Sequence, residues 1–287
     1  MFEVIADTLI DSVKLVPFLF FTYLAMEYLE HKTAGKLQQT IRKGGRLGPL
    51  FGGVLGAVPQ CGFSAAASNL YAGRVITLGT LIAIYLSTSD EMLPILISEA
   101  DKVGAASILK ILALKAGIGI VAGFAVDLLI RPKKEEHDHE HIHDLCEHDH
   151  CHCGEGANIW KSALVHTAQI TLFIVLVSFA LNTLLYFLGE DSLRNIVLNK
   201  PVLGELLAGF VGLIPNCAAS VVLTQLYLEG VMSFAACMSG LLVGAGVGIL
   251  VLFRANQDKK ENLKIVFLLY GIGVLAGIVL ECLGIAI

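Results

Sequence analysis

The sequence predicts an all-α membrane protein that crosses the bilayer several times. Hydrophobic residues make up 55 % of the 287-residue chain and charged residues only 16 %, whereas a soluble domain carries about 25 % charged residues. Apolar runs near the length of a membrane-crossing helix recur from end to end. They lie at roughly 4–30, 48–72, 74–98, 104–130, 159–189, 201–228, 231–253 and 264–287. A soluble helical domain does not account for so many such runs.

The two halves of the chain repeat each other at a constant offset of 156 residues. The stretch "GAVPQCGFS" at 56–64 returns as "GLIPNCAAS" at 212–220, and Gly117 pairs with Gly273. Nine positions of a 24-residue window are identical: Gly48/Gly204, Leu50/Leu206, Gly53/Gly209, Gly56/Gly212, Pro59/Pro215, Cys61/Cys217, Ser64/Ser220, Leu70/Leu226 and Tyr71/Tyr227. Shared apolar composition does not explain matched Pro, Cys, Ser and Tyr. We therefore divide the chain into a first transmembrane repeat (1–130), a polar loop (131–158) and a second repeat (159–287).

Pro59 and Pro215 each divide an apolar segment into two short halves. Proline removes a backbone donor and breaks a helix, and a half of about ten residues is too short to cross a bilayer. Each divided segment is therefore predicted to be a re-entrant hairpin. Three crossing helices plus one hairpin per repeat make ten helical pieces, and the odd number of crossings inverts the second repeat.

The distribution of Lys and Arg favours these hairpins over full crossings. With hairpins, 14 basic residues fall on one side and three on the other, as the positive-inside rule requires. Eight full crossings would move Arg74 and the basic residues around 131–158 to the opposite side and make the distribution more even. The hairpin arrangement predicts that the polar loop is cytoplasmic and that both termini lie outside.

The two breaks predict a binding site near the middle of the membrane. Backbone carbonyls freed in lipid must be satisfied by protein, water or a ligand, and paired broken helices are typical of transport sites. The polar side chains beside the breaks are Gln60, Cys61, Ser64, Asn216, Cys217 and Ser220. The alternative for each break is a proline kink packed by small residues.

A second polar cluster lies in "YLSTSDEMLP" at 85–94. Asp90 and Glu91 follow Ser87 and Ser89 in an otherwise apolar segment. A charged residue at membrane depth costs about 2.5–3.5 kcal/mol, so such residues are rare and are usually functional. We expect the two acids to bind a cation or to carry protons; the alternative is that they are solvated at the outer end of the segment. The second repeat has no acids at the equivalent place.

The polar loop predicts a flexible metal-binding segment. Its candidate ligands are His137, His139, His141, His143, Cys146, His148, His150, Cys151, His152 and Cys153. Imidazole and thiolate favour Zn, Ni, Co and Cu, but the spacing matches no rigid zinc framework. We expect weak binding at several sites; a solvated low-complexity loop is the alternative.

Other polar residues give weaker signals. His166, Glu27, Glu30 and His31 are secondary site candidates, of which the last three are expected near the membrane surface. Lys110, Lys115 and Asp127 on the fourth segment are expected to snorkel or to pair. Glycines four residues apart should let helices pack closely: Gly119/Gly123, Gly240/Gly244/Gly248 and Gly273/Gly277.

With its "PQCGFS" and "PNCAAS" breaks and its His-rich linker, the chain resembles the ten-helix heavy-metal exporters related to arsenic-efflux permeases. Members of this family often carry the label manganese transporter. The resemblance covers nearly the whole chain. It implies a multi-pass protein of the bacterial inner membrane that moves a metal or metalloid outward, without naming the ion.

The sequence as a whole favours a secondary transporter rather than an enzyme. The predicted substrate is a divalent transition metal of the Mn, Fe, Co, Ni or Zn class, bound in transit or by the loop, with no prosthetic group. No P-loop is present, so the coupling ion is expected to be a proton or sodium. Expected partners are the metal ion and the bilayer, not nucleic acid, and a homodimer stays open. The alternatives are arsenite or organoarsenical efflux, and a metal sensor or metalloenzyme that uses the loop.

Overall fold

The structure is a computed structural model, and its described residues are 47–57, 61–89, 92–99, 103–130 and 201–285, with isolated positions between 16 and 24 and between 160 and 183. The side chains of Cys61, Ser98, Cys217 and Ala218 are not among them. The described residues contain helices and no strand. The first half contains α1 (Gly48–Gly56), α2 (Cys61–Ala72), α3 (Leu78–Ser87), α4 (Met92–Ser98) and α5 (Ala105–Leu129). The second contains α6 (Leu203–Gly212), α7 (Cys217–Leu228), α8 (Phe234–Val243), α9 (Gly248–Ala255) and α10 (Lys259–Cys282).

Four stretches of the described chain are long and apolar enough to cross a membrane. They are Leu78–Ile97, Ala105–Leu129, Phe234–Ala255 and Lys259–Cys282. Helices α5 and α10 expose large apolar side chains along their length, such as Leu109 (69 % exposed) and Phe267 (67 % exposed). Such surfaces fit lipid rather than water. The chain is therefore an all-α, multi-pass membrane protein, as the sequence predicts.

Two segments predicted as single helices, 74–98 and 231–253, are interrupted at equivalent places. Helix α3 ends at Ser87 and α4 starts at Met92, while α8 ends at Val243 and α9 starts at Gly248. Pro94 has no N–H to donate to the carbonyl four residues before it, which favours a kink or a break in this stretch. In the second half Gly246 has φ +53°, a conformation that favours glycine. Both stretches are long and apolar enough to cross a membrane, as the sequence predicts, but it did not predict the interruptions within them.

Helices α1 and α2 run in opposite directions beside α3. Gly48 contacts Thr80, and Gly56 contacts Ile84 and Ser87, so α1 advances in the same direction as α3. Helix α2 precedes α3 across a short turn, and its Ser68 hydroxyl lies 2.7 Å from the Tyr85 hydroxyl. Thr77 starts α3 by accepting a hydrogen bond from the Thr80 N–H, and Ser233 starts α8 in the same way.

Helix α5 runs antiparallel to α3 and aligns its middle with the end of α3. The Asp127 carboxylate accepts hydrogen bonds from the Thr77 hydroxyl at 2.7 Å and from the Gly79 N–H at 2.8 Å. At the other end of α3, Lys115 reaches the Thr88 carbonyl. The end of α1 and the end of α3 therefore lie at the same level as the middle of α5, where Gly119 also contacts Ser87.

Equivalent glycines of the two halves pack against equivalent residues. A Cβ on Gly53 would collide with Ile120, and one on Gly209 would lie 2.7 Å from Val274. Ile120 and Val274 are 154 residues apart, whereas the offset of the sequence repeat is 156. The first repeat therefore has two more residues before α5 than the second repeat has before α10. Gly119 and Gly273 then match: the former contacts Ser87, and the latter contacts the equivalent Val243. The sequence pairing of Gly117 with Gly273 was wrong.

The contacts between halves also come in equivalent pairs. Helix α9 packs against α2, and α4 packs against α7 in the same relation. Helices α3 and α8 touch each other at the centre, and all their residues except Leu78 are buried. The described protein therefore has a central helix pair, flanked by α1 and α5 on one side and by α6 and α10 on the other.

The close approach of α5 to α3 predicts a clear difference between two glycines of α5. A Cβ at Gly123 would lie 2.5 Å from the Gly79 carbonyl oxygen, whereas one at Gly117 would meet nothing within 4 Å. We expect Gly123→Ala to destabilise the protein by about 1–3 kcal/mol, because the helix backbone must shift. The matched control Gly117→Ala should be neutral or stabilising by up to about 1 kcal/mol. Thermal unfolding in detergent measures both, and equal melting temperatures would contradict this packing.

Candidate transport site

The interruptions of the two halves meet around the middle of the described helices. The end of α1 at Gly56 lies against Ser87, the last residue of α3. At the equivalent place, Gly212 at the end of α6 lies against the Gly240 backbone in α8. The C-terminal carbonyls of short helices have no helical partner, so this region concentrates backbone oxygens inside the protein.

Lys115 brings a positive charge into this region. Its side chain is 1 % exposed. Its ammonium donates hydrogen bonds to the Thr88 carbonyl, just after α3, and to the Leu241 carbonyl of α8 at 2.9 Å. Of the two alternatives expected for Lys115, snorkelling or pairing, the structure shows a buried ammonium with hydrogen-bond partners, whereas Lys110 on the same helix is exposed.

Ser64 and Ser68 join the first half to the interruption in the second. The Gly248 carbonyl at the start of α9 lies 2.7 Å from the Ser68 hydroxyl and 3.2 Å from the Tyr85 hydroxyl. Ser68 also lies 2.7 Å from the Ser64 carbonyl, and both serines are fully buried. Each hydroxyl has one proton to donate. When the Ser68 proton goes to the Ser64 carbonyl, the Tyr85 hydroxyl can donate to the Gly248 carbonyl in its place.

The equivalent residues of the second half show the same local pattern. The Thr224 hydroxyl donates to the Ser220 carbonyl at 2.7 Å, as Ser68 does to Ser64. Asn216 lies just before α7, and its carbonyl accepts a hydrogen bond from the Ala219 N–H at 3.3 Å. Ser220 lies on α7, which packs against α4.

Ser87 and Ser89 lie at the end of α3 and are buried. The Ser87 hydroxyl lies 2.7 Å from the Ala83 carbonyl, and the Ser89 hydroxyl donates to the Ser87 carbonyl at 3.1 Å. The Thr88 hydroxyl similarly donates to the Ile84 carbonyl at 2.7 Å. The Ile84 carbonyl also accepts the Thr88 N–H at 3.0 Å, so these hydroxyls add hydrogen bonds to the last turn of the helix, and their oxygen lone pairs remain as acceptors.

Several predicted site residues lie outside the described residues. They are Gln60, Asp90, Glu91, the ten candidate ligands of the 131–158 loop, His166, Glu27, Glu30 and His31. Cys61 begins α2 and Cys217 begins α7, but their side chains are not described. Among the described residues, no three His, Cys, Asp or Glu side chains group together as metal ligands.

Glu205 is a polar residue that the sequence interpretation missed. It lies in the first turn of α6 and is 1 % exposed, and neither carboxylate oxygen has a hydrogen-bond partner within the described structure. Its side chain packs near Gly277, while its own carbonyl accepts a hydrogen bond from Ser239 at 2.8 Å. The signal that could have identified Glu205 is an acid inside an apolar run. The equivalent residue of the first repeat is Pro49, so the acid is not part of the repeated pattern.

We expect Glu205→Gln to preserve or raise thermal stability. The amide has the same shape, and burying it costs less than burying an unpaired carboxylate, by about 1–3 kcal/mol. Melting temperature in detergent measures the effect, with Glu281→Gln on α10 as a matched control that is expected to change little. A clear loss of stability in Glu205→Gln would mean that the carboxylate has a stabilising partner in the native protein.

A polar cluster at the surface links the two halves. Arg74 forms a bidentate pair with Glu261 at the start of α10, with both distances 2.8 Å, and Tyr71 donates to the same carboxylate at 2.6 Å. Hydrogen bonds to Glu261 raise the pKa of the Arg74 guanidinium further above its ordinary value. An exposed ion pair of this kind contributes about 0–1 kcal/mol to the stability of the fold. It shows mainly that the α2–α3 turn and the start of α10 lie together.

The fold and its centre define a multi-pass helical membrane protein whose helices are interrupted around buried polar groups. Residues 1–168 match the family described as "Putative, 10TM heavy-metal exporter". The match covers more than half of the 287 residues, so the chain belongs to this family, as its resemblance predicted. Comparisons with curated proteins and with solved structures gave no match. The family description indicates heavy-metal export as the broad function and transport rather than catalysis.

Proposed function

We propose that the protein is a secondary transporter that exports a divalent transition metal from the cytoplasm across the inner membrane. The observation that carries this proposal is the meeting of interrupted helices from both halves around buried polar groups. Such interruptions are typical of transport sites at the bilayer midplane. Backbone carbonyls and hydroxyls there, together with Gln60, Asn216, Cys61 and Cys217, would provide the oxygen, nitrogen and sulfur donors that transition metals use.

Helix lengths and directions support re-entrant hairpins in this proposal. Helices α1 and α2 have 9 and 12 residues, about 14 and 18 Å at 1.5 Å per residue, whereas the hydrocarbon core is about 30 Å thick. Helix α1 runs with α3, and α2 runs against it, so the first residue of α1 and the last of α2 lie at the same end of α3. The chain would enter and leave the membrane on one side.

One ion pair supports an inverted arrangement of the repeats. The Arg74–Glu261 pair joins the α2–α3 turn to the start of α10. Two hairpins put these segments on the same side of the membrane, whereas eight full crossings would put them on opposite sides. The exchange of partners, α2 with α9 and α7 with α4, is the relation expected from a pseudo-two-fold axis, which relates inverted and parallel repeats alike, so the ion pair carries the inversion. In this arrangement the 131–158 loop is cytoplasmic and can collect metal at the inner mouth.

Flux measurements test the proposal directly. Purified protein is reconstituted in liposomes, and flux is measured separately for Mn²⁺, Fe²⁺, Co²⁺, Ni²⁺, Zn²⁺ and arsenite, with protein-free liposomes as the control. We expect flux of at least one divalent metal. Absence of flux for every ion would contradict transport, and flux of arsenite alone would favour the arsenical alternative.

A loop deletion separates transport from metal sensing. Removing 135–155 deletes every candidate ligand of the loop and leaves all the described helices in place. A transporter should keep metal flux with a lower apparent affinity. Complete loss of flux, with an unchanged melting temperature in detergent, would favour a sensor or an enzyme that acts through the loop.

A further inference from the structure

The polar cluster at the start of α10 joins the two halves of the protein at one end. The Glu261 carboxylate accepts hydrogen bonds from two guanidinium nitrogens of Arg74, both at 2.8 Å, and from the Tyr71 hydroxyl at 2.6 Å. It also accepts one from the Asn256 side chain at 3.0 Å, and Asn256 is held in turn by Asn262 at 2.7 Å. An acid of the second half is therefore fixed by an arginine and a tyrosine of the first.

Arg74 has a backbone conformation that favours glycine. It lies in the turn after α2 with a φ of +56°, and its N–H donates to the Tyr71 carbonyl at 2.8 Å. In the equivalent turn after α7, Gly230 has a φ of +72° and donates to the Tyr227 carbonyl at 3.0 Å. The same turn thus has glycine in one half and arginine in the other. A side chain held in this strained conformation is typical of functional positions.

The ion pair belongs to one repeat contact and has no counterpart in the other. With the offsets of 156 in the turn and 154 in α10, the equivalents of Arg74 and Glu261 are Gly230 and Ser107. Neither residue carries a charge. A Cβ on Gly230 would meet nothing within 4 Å, so lack of space does not explain the glycine. The fold therefore forms this contact without an ion pair in one place and adds the pair in the other.

The ion pair lies at the end of the protein from which the 131–158 loop extends. Thr77 starts α3 three residues after Arg74, and its hydroxyl donates to the Asp127 carboxylate near the end of α5 at 2.7 Å. Transporters with inverted repeats open one side at a time as one part of the protein moves against another. A contact that joins the halves at the loop end must therefore break whenever the halves separate at that end.

We propose that the Arg74–Glu261 pair is the gate of the loop end of the transporter. When the pair is formed this end is closed, and when it separates metal from the loop side can reach the central site. This role rests on the transport function proposed above and identifies the contact that controls entry. Both side chains are partly exposed, and exposed ion pairs are weak. A weak contact suits a gate that must break and form again in every transport cycle.

The second half provides the template for the test variant. Arg74→Gly gives the turn the residue that the equivalent turn already has, so it removes the pair and relieves the backbone at the same time. Its melting temperature in detergent should equal or exceed that of the wild type. Glu261→Gln breaks the pair from the other half. Lys260→Gln is the matched control, because it removes an exposed charge beside Glu261 without touching the pair.

Native thiols report access to the central site. Cys61 and Cys217 begin α2 and α7 at the two helix breaks. Membrane vesicles that contain the full chain are treated with a membrane-impermeant maleimide, and peptide mass spectrometry measures the labelling rate of each cysteine. Rapid labelling of the loop cysteines Cys146, Cys151 and Cys153 identifies the vesicles whose outer face carries the loop.

We expect Cys61 or Cys217 to react about fivefold faster from the loop side in Arg74→Gly and Glu261→Gln, as loss of one weak ion pair allows. Lys260→Gln should react at the wild-type rate. Salt at about 1 M screens exposed charges and should accelerate labelling of the wild type but not of Arg74→Gly. Wild-type labelling rates in both pair variants, whether high or low, would overturn the gate. Should Arg74→Gly fail to fold, Glu261→Gln and the salt dependence of the wild type still decide it.

Metal flux separates the gate from the transport function. With the transported metal presented to the loop side of liposomes, we expect the KM of Arg74→Gly to fall about fivefold, because the state that can bind metal is more populated. An unchanged KM would overturn the role of the pair in metal entry. Absence of metal flux in the wild type would instead contradict the transport function, and faster labelling of the pair variants would still show that the pair holds the loop end closed.

Discussion

Metal flux is expected to fall about 100-fold when Asp90 is replaced by Asn together with Glu91 by Gln. A factor of 100 corresponds to about 2.7 kcal/mol, which is the size of the cost of one charge at membrane depth. A divalent metal near the bilayer centre needs compensating negative charge, and in sequence these two acids lie between the end of α3 and the start of α4. Flux in liposomes of the metal that the wild type carries is the measurement.

Lys115 gives a second reason to expect a large effect from these acids. Its ammonium binds the Thr88 carbonyl, and Asp90 and Glu91 are the next acidic residues along the chain. Removing the acidic partner of a buried ammonium destabilises a protein by about 3–5 kcal/mol, because the remaining positive charge is then uncompensated. The double variant should therefore lose thermal stability as well as flux, and the further change Lys115→Leu should restore part of the stability.

Two control variants make this prediction specific. Glu99→Gln removes an acid just after α4 and should change flux by no more than about twofold, as for a substitution away from the site. Cys61→Ser combined with Cys217→Ser removes both thiols at the starts of α2 and α7. A hard divalent cation should tolerate the loss of the thiols better than the loss of the acids. The opposite order would contradict the present proposal and favour arsenite.

The amino-acid sequence predicted the features that depend on composition and on local breaks. Its apolar runs identified the membrane helices, and Pro59 and Pro215 located the ends of α1 and α6 to within a few residues. Both are local signals: the bilayer fixes the length of an apolar helix, and proline removes a helical donor. Gly119, Gly123, Gly273 and Gly277 were correctly predicted as close-packing positions, because only glycine lets helix backbones approach so closely.

The features that depend on three-dimensional contacts could not be predicted from the sequence in the same way. The interruption between α8 and α9 contains no proline, so the stretch from Gly244 to Val247 has the composition of an ordinary apolar helix. For Lys115 the sequence left snorkelling and pairing open, and the position of the Leu241 carbonyl shows that its ammonium is held inside the protein. The offset of 154 in α5 and α10 likewise appears only in the contacts of Gly119 and Gly273.

The contact of α9 with α2 leads to the second large prediction, which concerns Gly248. A Cβ on Gly248 would lie 2.8 Å from the Ser64 Cβ and 3.0 Å from the Ser64 carbonyl oxygen. The backbone of α2 cannot yield as a flexible side chain would, so α9 must move away in Gly248→Ala. That movement also lengthens the hydrogen bonds that Ser68 and Tyr85 make to the Gly248 carbonyl. We expect a loss of about 3 kcal/mol of stability, from overpacking and from two weakened hydrogen bonds.

Gly244 provides the matched control in the same interrupted segment. A Cβ there would meet no atom nearer than 3.4 Å, and the residue has an ordinary φ of −68°. We therefore expect the free energy of unfolding of Gly244→Ala to lie within about 0.5 kcal/mol of that of the wild type. Because α2 and α9 belong to different halves, we also expect Gly248→Ala to lower metal flux far more than Gly244→Ala does. Equal stability and equal flux in the two variants would mean that α9 does not rest on Ser64 in the working transporter.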